Sequence, residues 1–382
     1  MRPARCRIAL LGFGTVGSAV ARRLTGPGIN GIHDPPEHLE LTHIFDRRAA
    51  HKREIFAASG ADAHRLIWTT AIDEIFTSDV DVVVEAVGGV EPAADWIRAA
   101  LLAGKSVVTA NKQAVARHGA ALLALAERQG RQLRFEAAVG GAMPIVRALG
   151  GGLAGDRVTR IVAILNGTTN AVLSRMEAAG CSLDEAIDDA RERGYAEADP
   201  SVDLDGGDAS AKLSILCALA FGLRVEPDAI PTRSAASISQ EDFDRARRNG
   251  GTVRQLAHAE YDRASATLTA WVAPTVVPHG SIFARTTGPQ NAAVITGAYS
   301  GDITIAGAGA GGDATAVAIL SDLVAIARDR AAIVPAPVLS TPRTIVGLPT
   351  TLNAEHAEHA ENVVLGGFSG FCVDRDSLVE AV

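Results

Sequence analysis

RIALLGFGTVGSAVARRL, residues 7–24, is the stretch on which the fold turns. Arg7 to Leu11 reads as a short buried strand, Gly12 to Gly17 as a tight turn, and Val16 to Leu24 as the helix that follows. Three glycines at G-x-G-x-x-G spacing between a strand and a helix let the backbone approach a pyrophosphate. The helix N-terminus there offers free N–H groups and a favourable dipole. Gly12, Phe13, Gly14, Thr15, Val16 and Gly17 are therefore candidate dinucleotide contacts. A secretory signal is the competing reading, because Arg2, Arg5 and Arg7 precede an apolar stretch and Ser18 to Ala21 imitate a cleavage site. The glycine spacing, and the run into Arg22 and Arg23 expected of an amphipathic helix, favour the strand, turn and helix.

Outward from that opening, Leu39 to Phe45, Val80 to Ala86 and Ser106 to Thr109 read as further apolar strands. Helical stretches lie between and after them at Pro92 to Ala103 and His118 to Gln129. Apolar strands alternating with amphipathic helices predict a parallel sheet covered on both faces. Residues 1–135 are thus expected to form a doubly wound, Rossmann-type α/β domain. Beyond Phe135 the pattern changes to Gly-rich turns, helices at Thr169 to Ala178, Leu183 to Arg193 and Asp208 to Phe221, and strands at Ala266 to Val277 and Ala292 to Thr296. This predicts an α+β substrate-binding and dimerisation domain over residues 136–306. A glycine cluster, Gly307 to Gly312, precedes a helix from Thr315 to Arg330, and residues 307–340 are expected to complete the nucleotide domain. Residues 341–382 read as a tail with a short polar helix around Glu355 to Glu361.

Length and composition narrow the function. A chain of 382 residues with 47% apolar side chains buries more than one core, and a cleft between domains is expected. A net charge of -8 leaves no footprint for a polyanionic backbone, so nucleic acid is not an expected partner. Four scattered cysteines form no disulfide framework or zinc ribbon, and no run is long enough to span a membrane, which points to the cytoplasm.

Several segments carry chemistry. The second strand ends at Phe45-Asp46-Arg47-Arg48, where a carboxylate suits ribose hydroxyls and an arginine suits a 2′-phosphate; the two signals conflict. Thr109-Ala110-Asn111-Lys112 closes a strand, which places Lys112 at the carboxyl edge of the sheet, where ligands bind in such folds. GYAEADPSVDLDGGDASAK, residues 194–212, gathers Glu197, Asp199, Asp203, Asp205 and Asp208 around Lys212, with Glu192 just outside. Such crowding is unfavourable unless cations neutralise it. A calcium loop does not fit, since Lys212 would stand where the bidentate glutamate belongs. The Asp208 to Lys212 spacing of one helical turn also permits a simple ion pair.

GFGTVG at 12–17, TANK at 109–112, NGTTN at 166–170, GYAEADP at 194–200 and the Asp208 to Lys212 pair together resemble homoserine dehydrogenase, from about residue 7 to 335. The resemblance implies NAD(P)-dependent reduction of aspartate 4-semialdehyde to homoserine, for threonine, methionine and isoleucine biosynthesis. It implies Lys112 and Lys212 as catalytic lysines, Glu197 and Asp208 on the substrate, and Tyr195, Gly167, Thr168 and Asp203 completing the pocket. Arg47, Thr109, Lys112 and Gly312 would join the glycine loop in holding NADP or NAD. Main-chain carbonyls of Glu136, Val139, Gly141 and Met143 would hold a sodium or potassium ion. Gly307 to Thr315 matches the segment that closes over the cofactor. A homodimer is expected, with contacts near residues 140–160 and 265–300.

The substrate's ammonium needs carboxylates and its carbonyl needs a proton donor, and burial or cationic neighbours would lower a lysine toward usable acidity. Lys212 is favoured as the donor, with Lys112 polarising the same oxygen. Too little chain follows Pro342 for a regulatory domain of the kind many relatives carry, so threonine inhibition by that route is not expected. His356 and His359 read as an exposed helix rather than a metal pair. A semialdehyde dehydrogenase would need an activated cysteine, which neither Cys181 nor Cys217 resembles. A catalytically dead nucleotide sensor is opposed by the intact Lys112, Glu197, Asp208 and Lys212.

Overall fold

The computed structural model describes residues 5–26, 38–59, 63–329 and 339–347. Its first sheet is wholly parallel: β1 (Cys6–Leu11), β2 (Leu39–Phe45), β3 (Ile67–Thr69), β4 (Val82–Glu85), β5 (Ser106–Thr109) and β6 (Leu133–Arg134), in the order β3-β2-β1-β4-β5-β6. The connecting helices are α1 (Thr15–Thr25), α2 (Ala49–Ala58), α3 (Ile72–Thr77), α4 (Ala93–Leu102) and α5 (Lys112–Arg128). The order reverses between β1 and β4, so the crevice past their carboxyl ends is the expected ligand site of a doubly wound sheet. The four residues of β4 are all buried, as a strand covered on both faces requires. The stretch that could have been a secretory signal is instead the central strand and its helix.

The chain then passes α6 (Ile145–Arg147) into β7 (Val158–Ile164), α7 (Gly167–Ala179), α8 (Leu183–Glu192), α9 (Ser201–Leu204), α10 (Gly207–Phe221) and α11 (Gln240–Arg248). The long hairpin β8 (Gly251–Asp262) and β9 (Thr267–Pro278) follows, then α12 (Ile282–Arg285), β10 (Gln290–Gly297), β11 (Gly301–Ala308), α13 (Gly312–Arg328) and β12 (Thr344–Val346). The second sheet runs β11-β10-β7-β8-β9-β12, antiparallel except where β12 joins β9. Thr344–Val346, read from sequence as part of a tail, is thus an edge strand. The polar helix expected near residue 355 lies outside the described residues.

One apolar core joins the two sheets. It runs from Ala9, Val83 and Val107 through Val115 and Leu122 of α5 and Leu213 and Leu216 of α10 to Ala257, Val272 and Ile295. On the other face of the first sheet α13 lays Ala316, Ile319 and Leu323 against Ala19 and Val20 of α1, which brings the chain back to the first sheet. Two asparagine caps place the helices that matter most. Asn111 accepts from Ala114 N at the start of α5, and Asn166 accepts from Thr169 N at the start of α7. The first cap corrects one expectation: α5 begins at Lys112, one turn and more before His118. Lys112 is therefore the first residue of a helix.

Candidate active site

The glycine loop divides its work among its three glycines. A Cβ on Gly17 would lie 2.0 Å from Gly12 O, so only glycine lets α1 pack so closely on the turn. Gly12 has φ +90°, a left-handed conformation that favours glycine. Gly14 faces open space, with nothing within 4 Å of its Cβ position. Gly14 caps α1 without a side-chain bond, and no acidic residue stands in the first turn, so its N–H groups are left for an anion. Phe13 turns its ring inward onto Phe56 and Trp68 and contributes its backbone to the loop. Asp46 is occupied by backbone: one oxygen accepts from Phe13 N at 2.9 Å and the other from Arg48 N at 2.8 Å. Arg47 beside it is exposed. A Cβ on Gly312 would lie 2.9 Å from Thr15 O, so the returning segment lies directly on this loop.

At the carboxyl edge of β4 and β5, buried Glu85 organises the approach to Lys112. Its carboxylate accepts from Val87 N at 2.8 Å, Gly88 N at 3.2 Å and the hydroxyl of Thr109. Asn111 reaches the same carboxylate and the Gly89 carbonyl while capping α5. The hydroxyl of fully buried Thr109 is thus committed, donating to Glu85 and accepting from Asn111 N at 3.0 Å.

Across the crevice stands α10. Asp208 and Lys212 project from the same face one turn apart and meet Lys112. Asp208 Oδ1 lies 2.8 Å from Lys112 Nζ, and its Oδ2 lies 2.7 Å from Lys212 Nζ. Lys212 also donates to the Leu165 carbonyl at 2.7 Å, and Asn166 donates to Asp208 and to Asp203, each at 2.7 Å. Burial pushes Asp208 toward protonation, but the two ammonium groups outweigh it and hold the carboxyl well below the usual range. For Lys112, burial disfavours the charge, yet Asp208, Asp203 and Glu197 together hold it above its ordinary value. The lowered pKa expected of a cleft lysine is therefore not found at Lys112, because three carboxylates oppose burial. Asp203 is raised by burial and by Asp208, although Asn166 and both lysines pull it down.

The rest of the acidic segment resolves its own repulsion. Asp199 caps Ser201 N, Asp205 accepts from the Ser234 hydroxyl, and Glu197 and Tyr195 face solvent at the crevice mouth. The Thr168 hydroxyl donates to the Tyr195 carbonyl at 2.7 Å and so ties the NGTTN turn to that mouth. Sequence reasoning missed Asn166, Asn291 and Glu85, and the Leu165 carbonyl leaves no sequence signal at all.

The loop from Glu136 to Met143 turns through Gly140 and Gly141, both with positive φ. The Glu136 side chain points away from it, accepting from Val146 N at 3.0 Å and Arg147 N at 2.8 Å. What the loop can offer a cation is therefore carbonyl oxygen without a carboxylate, which suits a single charge. Of the described candidates for a cysteine nucleophile, Cys217 is buried in α10 with its thiol pushed up to about 12 by desolvation, and Cys181 lies between helices with its thiol on the Arg175 carbonyl. Among the described residues no helix is long and apolar enough to cross a membrane.

The chain is also similar to known proteins. A family model described as homoserine dehydrogenase matches residues 144–324, and one described as its NAD-binding domain matches residues 12–136. The chain is 39% identical over 326 residues to homoserine dehydrogenase of Corynebacterium glutamicum, covering 85% of this chain and 72% of the relative. It is 38% identical over 323 residues to that of Synechocystis sp., covering 84% and 73%. The crystal structure of a homoserine dehydrogenase from Thiobacillus denitrificans aligns with TM-score 0.81 and 32% identity over 90% of this chain and 80% of that one. A hyperthermophilic archaeal homoserine dehydrogenase in complex with NADPH aligns with TM-score 0.66 and 25% identity, over 85% and 98% of the two chains.

Proposed function

The chain belongs to the homoserine dehydrogenase family and is an NAD(P)-dependent oxidoreductase, and on that premise we propose how its residues interconvert L-aspartate 4-semialdehyde and L-homoserine. The observation that carries the reading is the single Asp208 carboxylate held between Lys112 and Lys212, because it sets two ammonium groups from opposite walls of the crevice at one point. The bound dinucleotide supplies the hydride. As hydride reaches the aldehyde carbon, negative charge develops on the carbonyl oxygen, and a positioned acid and a fixed positive charge both stabilise it. Lys212 is assigned the proton transfer. Lys112 is assigned the electrostatic role, since a group held firmly as ammonium polarises an oxygen better than it gives up a proton. Glu197, with Asp208, Asp203, Tyr195, Gly167 and Thr168, forms the pocket for the substrate's charged end. Asp208 also aligns the two lysines.

Gly12 to Gly17, Thr109, Lys112 and Gly312 are assigned to the dinucleotide, and Arg47 to a 2′-phosphate. NADP is favoured because the Asp46 carboxylate is engaged by two backbone N–H groups, leaving it turned toward protein while Arg47 is exposed. Main-chain carbonyls of Glu136, Val139, Gly141 and Met143 would hold a sodium or potassium ion. The domain limits are placed at 1–135 completed by 307–340, and at 136–306. The protein works as a cytoplasmic homodimer in the biosynthesis of threonine, methionine and isoleucine. Loss of NADPH absorbance on adding aspartate semialdehyde to the purified protein tests the reaction. Absence of turnover with either cofactor would overturn it.

A further inference from the structure

Lys212 has a second anchor besides Asp208, the Leu165 carbonyl at the end of β7, and that carbonyl is itself held. Asn291 of β10, on the neighbouring antiparallel strand where Ala292 pairs with Ile164, donates from Nδ2 to Leu165 O at 3.3 Å. The amide orientation is fixed chemically: a carbonyl only accepts, so the nitrogen must face it. Asn291 is fully buried, and its side-chain oxygen is without a hydrogen-bond partner among the described residues. That oxygen instead packs on Gly309, where a Cβ would lie 2.2 Å from it. Gly309 belongs to the segment that donates to the Pro289 carbonyl, accepts from Ala142 N through Ala308 O, and ends at Gly312 on the first turn of α1. An aliphatic residue would fill a buried strand position without leaving an unpaired polar atom, so the amide is there for its donor.

We propose that Asn291 is a positioning residue: by fixing the Leu165 carbonyl it aims the Lys212 ammonium, and through Gly309 it ties that aim to the segment lying over the nucleotide loop. The inference rests on the assignment of Lys212 to proton transfer made above. The charged groups facing Lys212 are Asp208 on its own helix, Asp203 on α9 just before it, and Lys112 at the start of α5 across the crevice. A substitution at Asn291 that adds charge must therefore act against that background.

The test is homoserine oxidation with NADP across pH 6 to 10 for wild type, Asn291→Ala, Asn291→Asp and Gly309→Ala, with NADPH binding and melting temperature measured on each. Asn291→Ala is expected to lower kcat about tenfold or more, with KM for homoserine nearly unchanged, because only alignment at the reacting atoms is lost. Asn291→Asp keeps the shape, loses the donor and adds negative charge, so the rising limb of its kcat profile should move up by about one pH unit. Gly309→Ala displaces the same amide and should reproduce the kcat loss without the pH shift. It also answers the question if the aspartate variant does not fold. An active wild type with variants that keep kcat within about twofold and lose only melting temperature would overturn the positioning role alone. A wild type inert toward homoserine would overturn the functional reading, and this inference with it.

Discussion

Asp208 and Glu136 are both almost fully buried carboxyls, and their surroundings drive them in opposite directions. Asp208 sits between two ammonium groups, which more than repay its desolvation and keep it ionised. Glu136 has only the N–H groups of Val146 and Arg147 and the more distant Arg147 charge. It faces a second carboxylate, Asp322, which accepts from its own backbone N–H at 2.9 Å. Burial, reinforced by Asp322, pushes Glu136 up to about 7. The difference teaches that depth decides little by itself. What matters is whether full opposite charges or only dipoles meet the buried group. Two lysines from different walls make Asp208 an electrostatic hub at the crevice, whereas Glu136 is a junction between α6 and α13 whose charge state is undecided near neutrality.

The largest effect is expected from removing one arm of the Asp208 hub. Lys212→Met should lower turnover by about 100-fold to 10,000-fold, the range for losing a positioned general acid, while NADPH binding survives. A variant retaining more than about half of wild-type turnover would reduce the pair to an ordinary helix contact worth a few tenths of a kcal/mol. Asp208→Asn probes the hub itself. If Asp208 mainly holds the substrate ammonium, KM for homoserine rises with kcat little changed. If it mainly aligns the lysines, kcat falls and Lys112 loses the neighbour that holds it charged. Steady-state kinetics on this one variant separates the two roles.

Glu136 breaks or sharpens the comparison from the other side. An unfolded glutamate titrates near about 4.3, and the folded group near about 7. The folded state therefore keeps its proton more tightly, so stability is fully present below the unfolded value and is lost as pH rises toward 7. On the order of 4 kcal/mol is involved if the shift is taken whole. Denaturant melts in choline-based buffer should show that decline, and Glu136→Gln should flatten it. Sodium or potassium should flatten it only in part, because a cation on the carbonyls of this loop would act on the Glu136 carboxylate from a distance, its side chain being engaged by Val146 N and Arg147 N. Activity should respond to the same ions over the millimolar range; indifference of both stability and turnover would remove the cation from the loop.

Much of this was legible in the residues themselves. β2 and β5 match their sequence limits because buried parallel strands are written as unbroken apolar runs, and the glycine loop announces itself by spacing. β7, β8 and β11 were not read, since β8 buries Thr252, Arg254 and Gln255 among its apolar residues, β7 mixes buried with half-buried positions, and no residue of β11 is fully buried. The start of α5 was missed because TANK looks like a strand end, and only the Asn111 cap shows that the helix begins there. Lys112, Asp208 and Lys212 were named from motifs. That one carboxylate serves both lysines is a property of the crevice, not of any local pattern. Asn291 and the Leu165 carbonyl are further still from sequence: one is an ordinary strand residue and the other is backbone.

The smallest expected effect concerns a third carboxylate, Asp46, which is met neither by lysines nor by another acid but by two backbone N–H groups. Those bonds aim its oxygens at the glycine loop and the start of α2, so a phosphate beside Arg47 meets less of its charge than the bare sequence implies. Arg47 is exposed, and an exposed ion pair contributes up to about 1 kcal/mol, or roughly fivefold in affinity. Arg47→Ala should therefore raise KM for NADPH a few-fold and leave KM for NADH nearly unchanged. Asp46→Asn offers the converse. If backbone bonds already neutralise the carboxylate's influence, the amide variant should change the NADPH to NADH preference by less than Arg47→Ala does. A large gain for NADPH in Asp46→Asn would mean that the aspartate still repels the phosphate. Dipoles would then have oriented Asp46 without masking it, which is the same limit on dipoles that Glu136 displays.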